Sequence, residues 1–447
     1  MEATPALRPA VTIAAWNAVS RITGFARVVA VTAVLGATFL GNTYQQSNLV
    51  STVLFELLAA GLLAVPLVPA LVARPDQAPR LLGALWGLSL AVLGAMALLL
   101  ALLGRPIMAA ITSAAPEAVS GQQTAVGAFL LWFFAPQLIL YSAGAITSAY
   151  LNSRGRFAAA AAGPVANNLV VIGTMAVFLL VEGSNPSLDL STAGKVILGL
   201  GTTAGVAAMG ALPAIAAARE GLRLRPTRDW RDPMVARVAR EGVWAGALIG
   251  AHQVLLAATL VLANRVEGGV VATQLAFTFF LLPHAVLAHP VYTSAFPTFA
   301  SHAAAGAMVA LRAEIATALK RLLLLLVPAA AALGIGGEFA LRALRVGALD
   351  EAGVELTATA LRAYCLGLVG YGAFMLLSRA WAALGETRTA GVVAMTASLA
   401  GVAAMMLVSS VSDGPAVVRG VALSHSFAMT LAALSLGALL MRRLRAP

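Results

Sequence analysis

Val11-Thr-Ile-Ala-Ala-Trp-Asn-Ala-Val-Ser-Arg21-Ile-Thr-Gly-Phe-Ala-Arg27-Val-Val-Ala-Val-Thr-Ala-Val-Leu-Gly36 is one apolar run with two arginines inside it. The run exceeds the ~20 residues that cross hydrocarbon, and it contains no acidic residue to balance either charge. A charge at bilayer depth costs about 3 kcal/mol on insertion scales. A chain keeps two such charges when they face protein or a water-filled cavity. The reading taken here is a polar pathway through a membrane protein, with cations set to meet an anionic cargo. The alternative is structural: Arg21 snorkels to the cytoplasmic interface and Arg27 bonds a neighbouring helix.

Composition agrees with a membrane protein. Apolar residues make up 60% of the chain and charged residues 11%, where a soluble domain carries about 25% charged; mean hydropathy is +0.90. Residues 1–9 hold one Arg, and no small-residue cleavage site follows a short apolar core. The first segment is therefore expected to be a permanent helix rather than a cleaved signal. Cys365, the single cysteine, excludes an intrachain disulfide framework and any CxxC metal site; its apolar setting predicts a buried, inert thiol. The net charge of +11 raises nucleic acid as a partner, but the basic residues concentrate in alternate loops, as in a polytopic membrane protein. No nucleic-acid partner is expected.

Apolar segments of spanning length fall at residues 11–36, 48–73, 81–103, 125–151, 158–181, 195–218, 242–264, 269–298, 316–337, 356–380, 390–410 and 418–440. They are too long and continuous for barrel strands of about 10 alternating residues. With the N-terminus inside, Lys and Arg favour the cytoplasmic loops over the outer ones by roughly three to one. This predicts both termini in the cytoplasm. Misplacing one span in the middle would scramble the alternation, so the bias also supports about twelve spans.

The chain reads as built twice. Span two ends near Pro69 and span eight near Pro297; span four exits through Tyr150-Leu-Asn-Ser-Arg-Gly-Arg156 and span ten through Trp381-Ala-Ala-Leu-Gly-Glu-Thr-Arg388. Both pairs stand about 230 residues apart, near half the chain. An even number of spans per half gives the halves one orientation. The expected fold is an all-α polytopic membrane protein of about twelve transmembrane helices in two parallel repeats, with lobes at 1–221 and 222–447 and a cargo path between them. The loop from about Arg219 to Arg240 joins the halves; its Arg223-Leu-Arg225-Pro-Thr-Arg228-Asp-Trp-Arg231 reads as a basic linker helix on the anionic inner leaflet, with specific head-group recognition as the alternative.

Other chemistry is absent from the sequence. There is no GxxxxGK[ST], HExxH or His cluster with ligand spacing, so neither a cofactor nor an enzyme is expected. His284 and His289 are five apart and do not share a helical face. His252 and His289 are open to two readings, a proton relay or a helix–helix hydrogen bond.

Ser20-Arg21 through Arg27, Leu151-Asn152 through Phe157 and Leu377-Ser378-Arg379 through Thr389 resemble strings of the MviN/MurJ family, lipid II flippases of the multidrug/oligosaccharidyl-lipid/polysaccharide exporter superfamily. Ser20-Arg21-Ile-Thr-Gly24-Phe25-Ala-Arg27 is similar to that family's S-R-x-x-G-F-x-R opening. Leu151-Asn152-Ser-Arg154-Gly155-Arg156-Phe157-Ala-Ala, with Gly163-Pro164-Val-Ala-Asn167-Asn168-Leu after it, resembles L-N-x-x-G-R-F-A…P-V-x-x-N-L. Leu377-Ser378-Arg379-Ala380-Trp381 through Glu386-Thr387-Arg388-Thr389 resembles L-S-R-x-F-Y-A-L-x-D-T-R-T, and Phe279-Phe-Leu-Leu-Pro283 through Pro297 resembles a second-lobe segment. The strings cover both halves in order. The resemblance implies a V-shaped, two-lobed carrier with a central cationic cavity in the bacterial cytoplasmic membrane. It further implies export of an undecaprenyl-pyrophosphate-linked peptidoglycan precursor to the outer leaflet. The partners implied are this lipid-linked anionic substrate, membrane lipids and cell-wall synthesis proteins.

Arg21 and Arg27 match the family's cavity arginines, whose guanidinium forks suit pyrophosphate oxygens. Two further substrate-binding candidates stand where the sequence departs from the pattern. In Phe55-Glu56-Leu-Leu-Ala-Ala60-Gly61 the family's basic residue is replaced by Glu56 and its Glu by Ala60. Glu56 reads either as a carboxylate that titrates during transport or as a fixed counter-charge to Arg21 or Arg27. The family's span-eight cavity Arg falls at Thr278. Members typically add two spans after the twelfth; this sequence ends at Pro447.

Overall fold

The computed structural model describes residues 7–59, 67–73, 75–184, 187–230, 250, 252–345 and 347–444. They are helical almost throughout. In hydrocarbon every backbone N–H and C=O must find its partner within the segment, and a helix does this for apolar runs of this length. The chain divides into two compact units, Met1–Ile249 and Gly250–Pro447.

The first unit holds α1 (Leu7–Leu35), α2 (Phe39–Ala59), α3 (Leu67–Ala73), α4 (Ala78–Leu102), α5 (Gly104–Ile111), α6 (Glu117–Phe134), α7 (Gln137–Ser153), α8 (Ala158–Glu182) and α9 (Thr192–Arg219). The second holds α10 (His252–Ala263), then α11 (Gly269–Pro283), a π-helical turn (His284–Ala288), α12 (His289–Ala304), α13 (Met308–Ala343), α14 (Glu351–Cys365), α15 (Leu368–Ala383), α16 (Thr387–Val411) and α17 (Pro415–Arg443).

The two units repeat one design. Left-handed glycines recur in pairs at the expected offset of about 230 residues: Gly36 with Gly268, Gly155 with Gly385, Gly183 with Gly414. The middle pair closes its helices alike. The N–H of Arg156 donates to the Leu151 carbonyl at 2.9 Å, and that of Glu386 to the Trp381 carbonyl at 3.0 Å. Both are the six-to-one bond of a helix stop whose left-handed residue is glycine. The same spans are interrupted: α6 gives way to α7 at Ala135-Pro136, and α14 to α15 at Leu366-Gly367 with a bend of 48°. Packing follows suit. In the first unit α9 lies against α6, α7 and α8, and α2 against α6; in the second α17 lies against α14, α15 and α16, and α11 against α14.

Among the described residues nine helices are long and apolar enough to cross a membrane, or ten with the bent α14–α15 pair. The remaining two expected spans are 48–73 and 242–264. The first is realised as α2 and α3, with residues 60–66 outside the described set; the second as the short α10, with 231–249 outside it.

The expected linker helix is not formed over residues 222–230, which are irregular. Two glycines on α4 explain why. The N–H of Thr227 donates to the Gly83 carbonyl at 3.0 Å. A Cβ on Gly83 would stand 2.8 Å from the Arg225 carbonyl, and one on Gly87 only 2.0 Å from that of Thr227. Small residues in α4 thus open a groove that holds the segment as a strap, with Arg80 beside Asp229 at 3.7 Å. The continuation of the basic segment past Trp230 lies outside the described residues.

Candidate functional site

Arg21 and Arg27 are both on α1. Six residues turn an ideal helix by about 600°, leaving the two side chains roughly 120° apart. The structure separates them accordingly: Arg21 is exposed and Arg27 half-buried. The face between them is fixed by α8. Asn168 Nδ2 donates to the Ser20 carbonyl at 3.3 Å and to Thr23 Oγ1 at 3.1 Å.

Arg27 acts electrostatically on two phenols. It lies within electrostatic range of Tyr44 on α2 and of Tyr141 on α7. The Tyr44 hydroxyl is 2.9 Å from Thr202 Oγ1 on α9. Tyr141 is hydrogen-bonded to Thr52, and its ring stacks on Phe55 with centroids 4.7 Å apart. Glu56 is within electrostatic range of the same tyrosine. Four helices of the first unit therefore converge on a polar cluster: a guanidinium from α1, a phenol and a carboxylate from α2, a phenol from α7 and a hydroxyl from α9.

The supporting wall is also polar. On α2, Asn42, Thr43, Gln46, Ser47 and Ser51 are all buried. Ser47 donates to the Thr43 carbonyl and, at 3.4 Å, to that of Gly127; Ser51 donates to the Phe134 carbonyl at 3.3 Å. On α7, Gln137 Nε2 donates to Thr203 Oγ1 at 3.0 Å. Buried polar groups held this way fix side-chain geometry, because each unmade bond in a low dielectric costs about 1–3 kcal/mol.

Of the four residues singled out from the sequence, Arg27 and Glu56 each lie within electrostatic range of Tyr141. Arg21 is on the exposed part of α1. Thr278 lies in the second unit, half-buried on α11, and its hydroxyl donates to the Gln274 carbonyl of its own helix at 2.9 Å. Sequence reasoning missed Tyr44, Tyr141, Thr52 and Thr202. A signal for the first was present: polar residues recur at helical spacing from Asn42 to Ser51, inside an otherwise apolar chain. Nothing local marks Thr202 as the partner of a tyrosine 158 positions away.

Chemically, the cluster offers a cation in a fork geometry suited to phosphate oxygens, with hydroxyls that donate or accept beside it. It offers no nucleophile with an attendant base. An all-helical polytopic protein of two repeated units, with such a cation at span depth, belongs to the class of membrane transporters. Known proteins agree with that class. Residues 31–447 match the family model described as lipid II flippase MurJ, and the chain belongs to that family. The match begins after Arg21 and Arg27. A Haemophilus influenzae protein described as "Probable lipid II flippase MurJ" is 24% identical over 405 residues, covering 85% of this chain and 77% of that protein. Among solved structures, a lipid II flippase MurJ in an inward closed conformation superposes with a TM-score of 0.79 at 19% identity, over 96% of this chain and 87% of that one. An inward-facing multidrug-resistance MATE transporter of the MOP superfamily gives 0.71 at 14% identity, over 95% and 94%.

Proposed function

We propose that this chain moves lipid II, an undecaprenyl-pyrophosphate-linked peptidoglycan precursor, from the inner to the outer leaflet of the bacterial cytoplasmic membrane by alternating access. It carries out no covalent chemistry on its cargo. Both termini face the cytoplasm, and the surrounding lipids and cell-wall synthesis proteins are its partners. The family match over residues 31–447 supports the cargo. The observation that carries the mechanism is Arg27, half-buried on α1 and within electrostatic range of the Tyr44 and Tyr141 hydroxyls.

In this reading the pyrophosphate is the handle. Arg21, exposed and nearer the cytoplasmic end, captures it first. Arg27, about 9 Å further along the axis, receives it as the unit closes, with Tyr44 and Tyr141 completing its hydrogen bonds. Glu56 is the carboxylate that the incoming anion must displace or outcompete near Tyr141. Thr278 contributes a hydroxyl, not a charge, within the second unit.

The test is conditional depletion of the chromosomal copy with lipid-linked precursor as readout. Depletion should make the precursor accumulate, and a plasmid copy should clear it. A copy carrying both Arg21→Ala and Arg27→Ala should not. Clearance by the double variant at the wild-type rate would overturn the cationic route, and depletion without accumulation would overturn the cargo.

A further inference from the structure

The second unit encloses a histidine that the transport reading does not use. His425 on α17 is 5% exposed, and neither of its ring nitrogens has a hydrogen-bond partner. Aromatic rings enclose it. Phe277 of α11 and Tyr364 of α14 each stand 5.3 Å from it, centroid to centroid, at near-perpendicular angles, and Phe280 stands 6.4 Å away. A second imidazole completes the box: His252 of α10 is 6.1 Å from His425 at 79°. An imidazole carries one donor and one acceptor when neutral and two donors when charged. A buried one with neither used is an exception that calls for a role.

The surroundings narrow that role. The ionisable groups facing His425 among the described residues are His252 from α10 and the Tyr364 phenol from α14. Tyr371 of α15 lies one ring further out, beyond Phe280. α11 carries no ionisable residue near the box, and α16 carries none between Thr389 and Val411. Among the described residues no carboxylate stands there to hold a metal ion or a fixed counter-charge. Two imidazoles 6.1 Å apart repel each other when both are charged, so a proton taken up by one changes the other's affinity for its own.

We propose that His252 and His425 form a proton-binding pair inside the second unit, through which pH biases the conformation of the carrier. In the conformation described here both nitrogens of His425 lack partners. A conformation that gives either one water or a donor must differ in its affinity for a proton. By linkage, a proton taken up from water then shifts the balance between the two. The pair's existence is independent of the cargo; its use in transport rests on the proposed function.

Two measurements on the full chain test this. In the first, protein with isotope-labelled histidine rings is placed in nanodiscs of phosphatidylethanolamine and phosphatidylglycerol. It is titrated by NMR from about pH 8 to about pH 4, the range in which imidazoles change charge. The signals absent from His425→Gln and from His252→Gln should both move with pH, and losing either residue should shift the other's midpoint by at least about 0.5 pH unit. Signals that stay fixed, or midpoints indifferent to each other, would overturn the pair. If His425→Gln does not fold, the half-buried His252→Gln alone still reports whether the His425 midpoint moves.

In the second, the same proteins move a fluorescent lipid-linked pyrophosphate across proteoliposomes under opposed pH gradients. Wild type should differ about threefold or more between the two gradient directions, and each variant should lose that difference. An equal difference in the variants would remove the coupling. No transport by wild type, alongside an intact coupled titration, would reject the cargo and leave the pair standing.

Discussion

Arg27 carries the residue-scale argument because its neighbours give it a reason to be where it is. Removing its side chain should strand Tyr44 and Tyr141 without their cation while leaving the Tyr44–Thr202 bond intact. Arg27→Ala is therefore expected to remain folded but to lower outer-leaflet delivery of lipid-linked pyrophosphate at least about tenfold, equivalent to about 1.4 kcal/mol. Arg27→Lys should recover only part of that, since it keeps the charge and loses the fork. Arg21→Ala should instead weaken binding measured from the inner side. A vesicle assay that reads capture and delivery separately checks both. Glu56→Gln divides the two readings of that carboxylate: a titrating role predicts a flattened pH profile with unchanged thermal stability, a counter-charge role the reverse. An unchanged profile with unchanged stability removes both.

Elements in this protein stop and meet where small or polar residues allow. The strap at residues 222–230 depends on Gly87, whose missing side chain leaves room for the Thr227 carbonyl. Gly87→Ala gains up to about 1 kcal/mol of helix propensity but forces a 2.0 Å contact against backbone, and overpacking of this kind costs about 1–3 kcal/mol. We expect net destabilisation and faster proteolysis within the strap, read by limited digestion of the purified protein. In the second unit, α13 and α14 are tied by a charged network. Arg342 reaches Glu338 at 2.9 Å and Glu351 at 3.0 Å, Arg345 reaches Glu351 at 2.8 Å, and Arg362 also pairs with Glu338. These groups are partly exposed, so each pair contributes at most about 1 kcal/mol. Glu351→Gln, which takes one of Arg342's two partners and the partner of Arg345, should lower the melting temperature by a few degrees in low salt and by less in high salt. The cap on α14, where Asp350 Oδ1 accepts from the Gly353 N–H at 2.8 Å, is worth about 1 kcal/mol more.

For the whole molecule, the distribution of Lys and Arg predicts the orientation in the membrane. In a variant with Cys365 replaced by Ala, a cysteine at Ser187, between α8 and α9, should react with an impermeant maleimide added outside. One at Ala305, between α12 and α13, should react only after the membrane is opened. Both sites are exposed, so the contrast reports sidedness. The opposite pattern would invert the topology and with it the direction of export. The internal repeat operates at the same scale. It was legible because helix stops leave a local mark: Gly155 and Gly385 each follow a similar exit string, and both adopt the left-handed conformation such a stop requires.

The sequence by itself determined the class, the helical content and the repeat, since each follows from short-range rules: apolar length, loop charge and glycine at helix ends. It also singled out Arg27, because an unbalanced charge in an apolar run is visible without knowing its neighbours. Those neighbours were not legible. Tyr44 meets Thr202, Tyr141 comes within electrostatic range of Arg27, and His425 meets His252 across separations that no local pattern encodes. Which face of α1 packs against Asn168, and so which arginine goes inward, was decided by helix packing. The strap went the same way: its charges suggested a helix on the membrane surface, but two glycines on α4 offered its backbone a groove. Tertiary structure had the last word wherever a partner lay on another helix, because the cost of an unpaired polar group in a low dielectric exceeds any local preference of the chain.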